Sequence, residues 1–211
     1  MKQDIVLLID ESGSMRSKIQ FIIDGVNGII SKTKISRLNT ETINFSLKFF
    51  NHREYVKINR LNIININPIN INDISPCGQT ALLDALGKTL KHFIFKKITN
   101  PNTFDNCIIY VITDGQENNS KVYNNQMIRN MINCAKNNFN IDVVYIGSDN
   151  DTLLHANDIG INESNSMIFA EEPETFSNMM QSVADSSSRI RAGEEFYFTM
   201  NERTSSQTPL I

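Results

Sequence analysis

The chain has 211 residues, of which 40% are hydrophobic and 20% charged, and its formal net charge is −3. This length and composition suit one α/β domain with a short tail. No apolar run approaches the roughly 20 residues that span a membrane, and no basic cluster along the sequence indicates binding to nucleic acid or to an anionic membrane.

The first predicted strand is the apolar run Ile5–Ile9, which leads directly into a polar loop. An apolar run without alternation is typical of a central parallel strand covered by helices on both faces. In the loop, Gly13 permits a sharp turn, and Asp10, Ser12 and Ser14 place oxygen atoms at alternate positions. Such a loop lies where open α/β sheets bind ligands, and its oxygens suit Mg²⁺. The alternative is that these residues only cap the following helix.

The amino-terminal residues also bear on the cellular location of the protein. Their short apolar run ends in acidic and polar residues without a small-residue cleavage pattern, so we interpret it as a strand and not as a signal peptide. We therefore expect an intracellular, cytoplasmic protein, which would lie in the host cytoplasm or the virion if its source is a virus.

A helix, a hairpin and an irregular connection are predicted next. Apolar residues recur at helical spacing over Lys18–Lys34, which indicates the first helix. Two runs rich in β-forming residues, Thr42–Asn51 and Tyr55–Asn59, predict a hairpin at a sheet edge. Over residues 60–74, Pro68 argues against a central strand, so we interpret this stretch as an irregular connection.

The middle of the sequence repeats the pattern of a strand followed by a polar loop. Turn residues at Ser75–Gly78 precede a helix whose apolar stripe runs from Leu82 to Phe93, and Thr80 opens that helix. The buried strand Ile108–Ile112 then leads into a loop that contains Asp114. A second carboxylate is therefore expected at the carboxyl end of a strand.

Helices and strands continue to alternate up to residue 191. We predict a helix over 127–135, a strand over 141–147, a short helix ending near 160, a strand over 166–170 and a final helix over 173–190. The alternation predicts a doubly wound α/β fold, with a mostly parallel central sheet, one antiparallel edge strand and helices on both faces. We place the domain at 1–191 and a disordered or docking tail at 192–211.

Three loops, with the sequences DESGS, GQTAL and TDGQEN, are expected at one edge of this sheet. They contribute the oxygen-bearing residues Asp10, Ser12, Ser14, Thr80 and Asp114. This combination resembles the von Willebrand factor A (vWA) domain and its metal-ion-dependent adhesion site (MIDAS), in the intracellular type found in bacteria and viruses. The resemblance covers roughly residues 4–191.

The resemblance implies a set of metal ligands and a kind of partner. By it, Ser12 and Ser14 coordinate Mg²⁺ or Mn²⁺ directly, and Thr80 does so in at least one ligand state. Asp10 and Asp114 act directly or through water. Because the hydroxyl ligands are neutral, the cation keeps much of its charge and a replaceable water. The implied partner is a protein presenting Asp or Glu, and no enzymatic activity is expected.

One position departs from the family's pattern, and two acidic residues flank the motif. Related sequences often have two glycines before the threonine, whereas here Gln79 follows Gly78. We expect Gln79 either to crowd the ligand or to donate a hydrogen bond to it. Glu11 and Glu117 lie beside the ligands in sequence and could tune the local charge, but we interpret them as solvated surface residues and leave them out of the site.

Two other functions remain as alternatives. Haloacid-dehalogenase-like phosphatases also place an aspartate after a strand, but their motif continues Asp-x-Asp, and Ser12 here removes the expected general acid. The other alternative is a structural domain with a vestigial site. The three cysteines have no Cys-x-x-Cys spacing, so they indicate neither a disulfide framework nor a zinc site.

Overall fold

Up to residue 191, strands and helices alternate in the order that the sequence predicts, and one further helix lies in the segment predicted to be a tail. The computed structural model describes residues 1–208, apart from the side chains at positions 150 and 152. The strands are β1 (Lys2–Asp10), β2 (Thr42–Phe50), β3 (Glu54–Asn62), β4 (Asn106–Ile112), β5 (Ile141–Gly147) and β6 (Ser166–Ile168). The α-helices are α1 (Ile19–Ser36), α2 (Leu82–Thr99), α3 (Asn125–Phe139), α4 (Asn150–Asp158), α5 (Pro173–Arg191) and α6 (Met200–Ser205). Within these residues, none of the helices combines the length and the apolar character that a membrane span requires.

The strands form one sheet in the order β3-β2-β1-β4-β5-β6. All neighbouring pairs are parallel except β2 and β3, which form an antiparallel hairpin at one edge. The prediction of a doubly wound, mostly parallel sheet with one antiparallel edge strand is confirmed. Chain order reverses at β1, whose neighbours are β2 and β4, so the loops that follow these strands meet at a topological switch point.

Two separate cores explain why the first strand lacks alternation. Ile5, Leu7 and Ile9 pack on one face of the sheet in a core shared with α1 and α5. Val6 and Leu8 pack on the other face in a core shared with α2 and α3. All five side chains are fully buried. A strand with helices on both faces has to be apolar at every position, as the sequence indicates.

The connection between β3 and α2 is irregular, as predicted. It contains two single turns of 3₁₀-helix, Ile63–Asn65 and Ile71–Asp73. Its isoleucines Ile63, Ile66 and Ile69 are buried against α1 in the first core. The alternating apolar residues of this stretch therefore serve packing in a non-repetitive chain segment, with Pro68 between them.

The segment after α5 packs on the domain. Phe198 is 5% exposed, and the two carboxylate oxygens of Glu202 each accept a hydrogen bond of 2.9 Å from Arg189 on α5. Ala170, beyond β6, donates a backbone hydrogen bond of 2.8 Å to Ser206. The division at residue 191 stays a prediction, and the last part of the predicted tail, residues 209–211, lies outside the described residues.

Tyr110 of β4 joins the sheet to α5. Its ring is fully buried, and its hydroxyl lies 2.7 Å from Ser187 Oγ, 2.9 Å from Ser186 Oγ and 3.2 Å from the carbonyl oxygen of Val183. Burial raises the pKa of Tyr110 to about 12, although the serine hydroxyls oppose this rise. The hydroxyl is therefore neutral at physiological pH and anchors α5 across the first core.

Replacement of Tyr110 by Phe is expected to lower the free energy of unfolding by about 1–3 kcal/mol, because it removes a buried hydroxyl and leaves its partners with fewer bonds. Urea unfolding at neutral pH measures this difference.

In the wild type the phenol also adds stability below pH 10, which is lost as the pH rises towards 12, since the unfolded state then releases its proton first. Tyr110→Phe should flatten that part of the pH profile.

Tyr197→Phe is the control for this substitution. Tyr197 is 41% exposed, and its hydroxyl donates to Glu194 at the surface over 3.1 Å. The control should change stability by no more than about 0.5 kcal/mol. Equal effects of the two substitutions would contradict the anchoring role of Tyr110.

Candidate metal centre

The structure brings together the five oxygen-bearing residues singled out in the sequence. Asp10 ends β1, Asp114 lies just beyond β4, and Thr80 lies just before α2. The hydroxyl oxygens of Ser12 and Ser14 are 3.0 Å apart, and Ser14 donates a hydrogen bond of 2.7 Å to Asp114 Oδ1. Thr80 Oγ1 lies 3.5 Å from Asp10 Oδ2. Three hydroxyls and two carboxylates therefore form one connected cluster, which we call the oxygen cluster.

Asp10 is fully buried and is held at both carboxylate oxygens. Its Oδ1 accepts a hydrogen bond of 2.7 Å from the Ser12 amide, and its Oδ2 accepts one of 2.6 Å from Thr113 Oγ1. Burial raises the pKa of Asp10, while these hydrogen bonds act in the opposite direction. Thr113, which the sequence analysis did not single out, thus fixes the orientation of Asp10.

Gly115 leaves open space beside the oxygen cluster. A Cβ atom at this position would lie 3.4 Å from Thr80 Oγ1, 3.7 Å from Asp10 Oδ2 and 3.9 Å from Ser14 Oγ. The absence of a side chain therefore keeps a cradle free among three of the five residues. The three atoms nearest to that position are all oxygens, which is the ligand type that hard divalent cations take. The residues present thus fit a divalent metal ion.

Lys18 is the main feature of the site that sequence reasoning missed. It ends a 3₁₀ turn, Gly13–Lys18, which follows the first loop. Its Nζ lies 2.6 Å from Asp114 Oδ2 and 3.0 Å from Glu171 Oε1, and its side chain is only 6% exposed. Burial alone would lower the pKa of Lys18, but the two carboxylates raise it above its ordinary value. A fixed positive charge therefore lies beside the oxygen cluster.

Glu11 is buried, so its interpretation as a surface residue is wrong. It is 2% exposed, and its carboxylate accepts hydrogen bonds from Tyr55 Oη and from the Ser75 amide. Its backbone carbonyl accepts a hydrogen bond of 3.0 Å from the Cys77 amide. Glu11 thus joins the first loop to β3 and to the loop before Thr80, which a sequence pattern alone does not reveal.

Glu117 is likewise structural and not merely solvated. Its carboxylate accepts from the amides of Asn119 and Ser120 at 2.8 and 2.6 Å, and from the Leu83 amide at 2.9 Å. The last of these bonds satisfies the amide of Leu83, which has no hydrogen-bond partner within the first turn of α2. Glu117 therefore ties the loop after β4 to the helix that Thr80 precedes.

Gly78 sets the shape of the loop before Thr80. Its φ is +74°, in the left-handed region that favours glycine, and a Cβ there would collide with the ring of His52. Its carbonyl accepts a hydrogen bond of 3.2 Å from the Gly13 amide, which connects the first and second loops. Gln79 is exposed beside this junction.

The cluster depends on hydroxyl groups. In the part of the chain that the structure describes, no three His, Cys, Asp or Glu side chains gather closely enough to hold a metal ion. A search for acidic or histidine clusters would therefore overlook this place, whereas the spacing of Asp10, Ser12 and Ser14 indicated it.

Several solved structures share the fold. They include proximal thread matrix protein 1 from mussel byssus with a zinc-occupied MIDAS motif (TM-score 0.60, 17% identity, covering 88% of this chain and 46% of that one). Manganese-loaded TRAP protein from Plasmodium vivax matches with a TM-score of 0.55 and 18% identity, covering 80% of this chain and 68% of that one. The PilB minor pilin from Streptococcus sanguinis matches with a TM-score of 0.61 and 14% identity, covering 90% and 62%.

These identities establish likeness of fold alone. The chain spans about half the length of the mussel protein, at 46%. No curated protein sequence gives a significant match. The family model of the von Willebrand factor type A domain matches residues 4–185, which is most of the 211-residue chain. The chain therefore belongs to the von Willebrand factor type A domain family.

Proposed function

We propose that this chain is a non-enzymatic module that binds a divalent cation, Mg²⁺ or Mn²⁺, and through it engages an Asp or Glu of a protein partner. The proposed metal ligands are Asp10, Ser12, Ser14, Thr80 and Asp114. The observation that carries the proposal is that these five side chains form one hydrogen-bonded cluster, in which oxygens of Asp10, Ser14 and Thr80 lie around the cradle that Gly115 leaves free. When bound, the cation supplies positive charge and an exchangeable position for an anionic oxygen.

The surroundings of the five residues indicate which of them contact the cation directly and which do so through water. Asp10 has both oxygens engaged by protein donors, which suits contact with the cation through water. The hydroxyls of Ser12 and Ser14 carry no formal charge, so direct coordination by them leaves most of the cation's charge uncompensated. A carboxylate from a partner is then the natural further ligand, because it neutralises that charge.

Two solved structures of similar fold support the proposal that this chain binds a metal ion. The mussel protein has a zinc-occupied MIDAS motif, and the Plasmodium vivax protein is manganese-loaded. Metal binding thus occurs in proteins of this fold with less than 20% identity to the chain. The oxygen-only donor set here favours Mg²⁺ or Mn²⁺ over zinc, which prefers nitrogen and sulfur ligands in proteins.

The geometry favours binding over the phosphatase alternative. A nucleophilic aspartate must reach its substrate, whereas Asp10 is fully buried and held by the Ser12 amide and Thr113. Lys18 further favours an anionic partner, because its buried ammonium group offsets part of the negative charge of the oxygen cluster.

Asp10→Asn and Ser12→Ala are each expected to weaken Mg²⁺ and Mn²⁺ binding by roughly 10-fold to 100-fold, since each removes an oxygen that the cation uses or that orients its ligands. Isothermal titration calorimetry of the purified variants measures this loss. Ser17→Ala is the control, because Ser17 is exposed on the same turn, outside the oxygen cluster. Unchanged metal affinity in both site variants would contradict the ligand assignment.

Gly115→Ala should weaken metal binding by about 10-fold, corresponding to about 1.4 kcal/mol, while leaving the fold intact. The added methyl group makes only ordinary contacts with protein atoms but occupies the cradle. Titration calorimetry and thermal unfolding of the same sample separate these effects. Gly28→Ala, whose methyl group would meet nothing within 4 Å, is the matched control and should bind metal like the wild type.

Lys18→Met is expected to strengthen metal binding and to destabilise the metal-free protein by roughly 3 kcal/mol, because a buried carboxylate loses its cationic partner. Added Mg²⁺ should restore much of the lost stability. Lys48→Met is the control, since Lys48 forms a similarly buried ion pair with Glu54 over 2.9 Å and neither residue belongs to the oxygen cluster. Thermal unfolding with and without Mg²⁺ measures both responses, and rescue of Lys48→Met to the same extent would refute the assigned role.

A further inference from the structure

A small polar cleft adjoins the oxygen cluster, and nothing in the proposed metal site uses it. It has a volume of about 80 Å³ and lies between the β2–β3 turn, the start of α2 and the loop after β4. Its charged lining residues are Arg53, Glu54, Asp84, Lys88 and Lys121, and the ring of His52 also faces it. We call this feature the basic cleft.

The cations of the basic cleft are available, whereas its carboxylates are engaged. Among residues 1–208, the side chains of Arg53, Lys88 and Lys121 are exposed and make no hydrogen bond or ion pair. Glu54 is paired with Lys48 at 2.9 Å. Asp84 accepts hydrogen bonds of 2.9 to 3.0 Å from three consecutive backbone amides, those of residues 121–123. The lining thus has three cations against two carboxylates, one of which is paired with Lys48 outside the cleft, so its net charge is positive.

The basic cleft and the oxygen cluster share two loops. Ala81, in the cleft lining, directly follows Thr80, and the Asn119 amide, also in the lining, donates a hydrogen bond of 3.1 Å to the Thr80 carbonyl. On the other side, His52 packs against Gly78 of the loop that precedes Thr80. A ligand that reaches the metal beside Thr80 therefore lies next to the cleft.

We infer that the basic cleft binds a second carboxylate of the same partner, so that the partner presents a short acidic segment and not a single acidic residue. This inference rests on the proposed metal-dependent function. One carboxylate of the segment binds the cation, and a neighbouring carboxylate lies between Arg53 and Lys121. The partner class is thus an acidic peptide segment with at least two Asp or Glu residues.

The size and surroundings of the cleft favour a carboxylate side chain over a nucleotide. Pockets that hold small organic ligands have volumes of about 300 Å³ or more, whereas this cleft has about 80 Å³. The chain as a whole carries a net charge of −3, and Asp149 and Asp151 lie on the side of the oxygen cluster that faces away from the basic cleft. A long polyanion would meet these acidic residues, whereas a short acidic segment that turns towards the cleft avoids them.

The test compares two labelled peptides by fluorescence anisotropy with the full chain in excess Mg²⁺. One has the core Glu-Gly-Glu flanked by Gly and Ser, and the other has one Glu replaced by Gln. We expect the two-carboxylate peptide to bind about threefold to tenfold more tightly, as two exposed ion pairs allow. Arg53→Gln combined with Lys121→Gln should abolish this advantage and leave binding of the one-carboxylate peptide nearly unchanged.

Lys32→Gln combined with Lys136→Gln is the matched control, because it removes the same charge from distant helices α1 and α3. If this control reduces the advantage as much as the cleft variant does, the effect is one of net charge and the inference is overturned. It is also overturned if both peptides bind equally to the wild type. Tighter binding of oligothymidylate than of either peptide, lost in the cleft variant, would overturn the assignment to an acidic peptide.

A chelator separates this inference from the proposed function. Loss of binding of both peptides in chelator supports the metal-dependent function whatever the cleft variant does. If chelator leaves both affinities unchanged, the proposed metal-dependent function fails. An advantage of the two-carboxylate peptide that still requires Arg53 and Lys121 would in that case support the cleft as an anion site that acts without the metal.

Discussion

The edge of the sheet that carries the oxygen cluster depends on the hydrogen bonds made by one buried carboxylate. Asp10 lies fully buried at the end of β1, where an unpaired charge would be costly. The amide of Ser12 and the hydroxyl of Thr113 supply the missing hydrogen bonds. Because one donor belongs to its own loop and the other to the loop after β4, the same bonds align the two chain segments that carry Ser12, Ser14 and Asp114.

Charge balance at this edge is set by Lys18. The carboxylates of Asp10 and Asp114 in the oxygen cluster repel each other. The buried ammonium group of Lys18, 2.6 Å from Asp114, compensates for part of that repulsion. The same ammonium group bonds to Glu171, two residues before α5. It thereby links the oxygen cluster to the loop that leads into α5, and it competes with a bound cation for Asp114. In the proposed function, Lys18 would therefore favour an anionic partner and limit the affinity of the site for the metal.

Charge is unevenly distributed on the two sides of the metal edge. Asp149 and Asp151 lie near Asp114 on one side, and the basic cleft with Arg53 and Lys121 lies on the other. An acidic segment of the proposed kind would be repelled from the first side and attracted to the second. Such asymmetry contributes to the orientation of a partner more than to its total affinity.

Sequence alone determined the fold class and the five residues of the oxygen cluster, because both follow from local patterns. Fully apolar strands such as Ile5–Ile9 indicate a sheet covered on both faces, and carboxyl ends of parallel strands meet at one edge. Tertiary structure decided the contacts between distant segments. Lys18 reaches Glu171, Glu11 reaches Tyr55, and Arg53 lines the same cleft as Lys121. No spacing along the chain encodes these pairs, since they depend on how loops from different strands pack together.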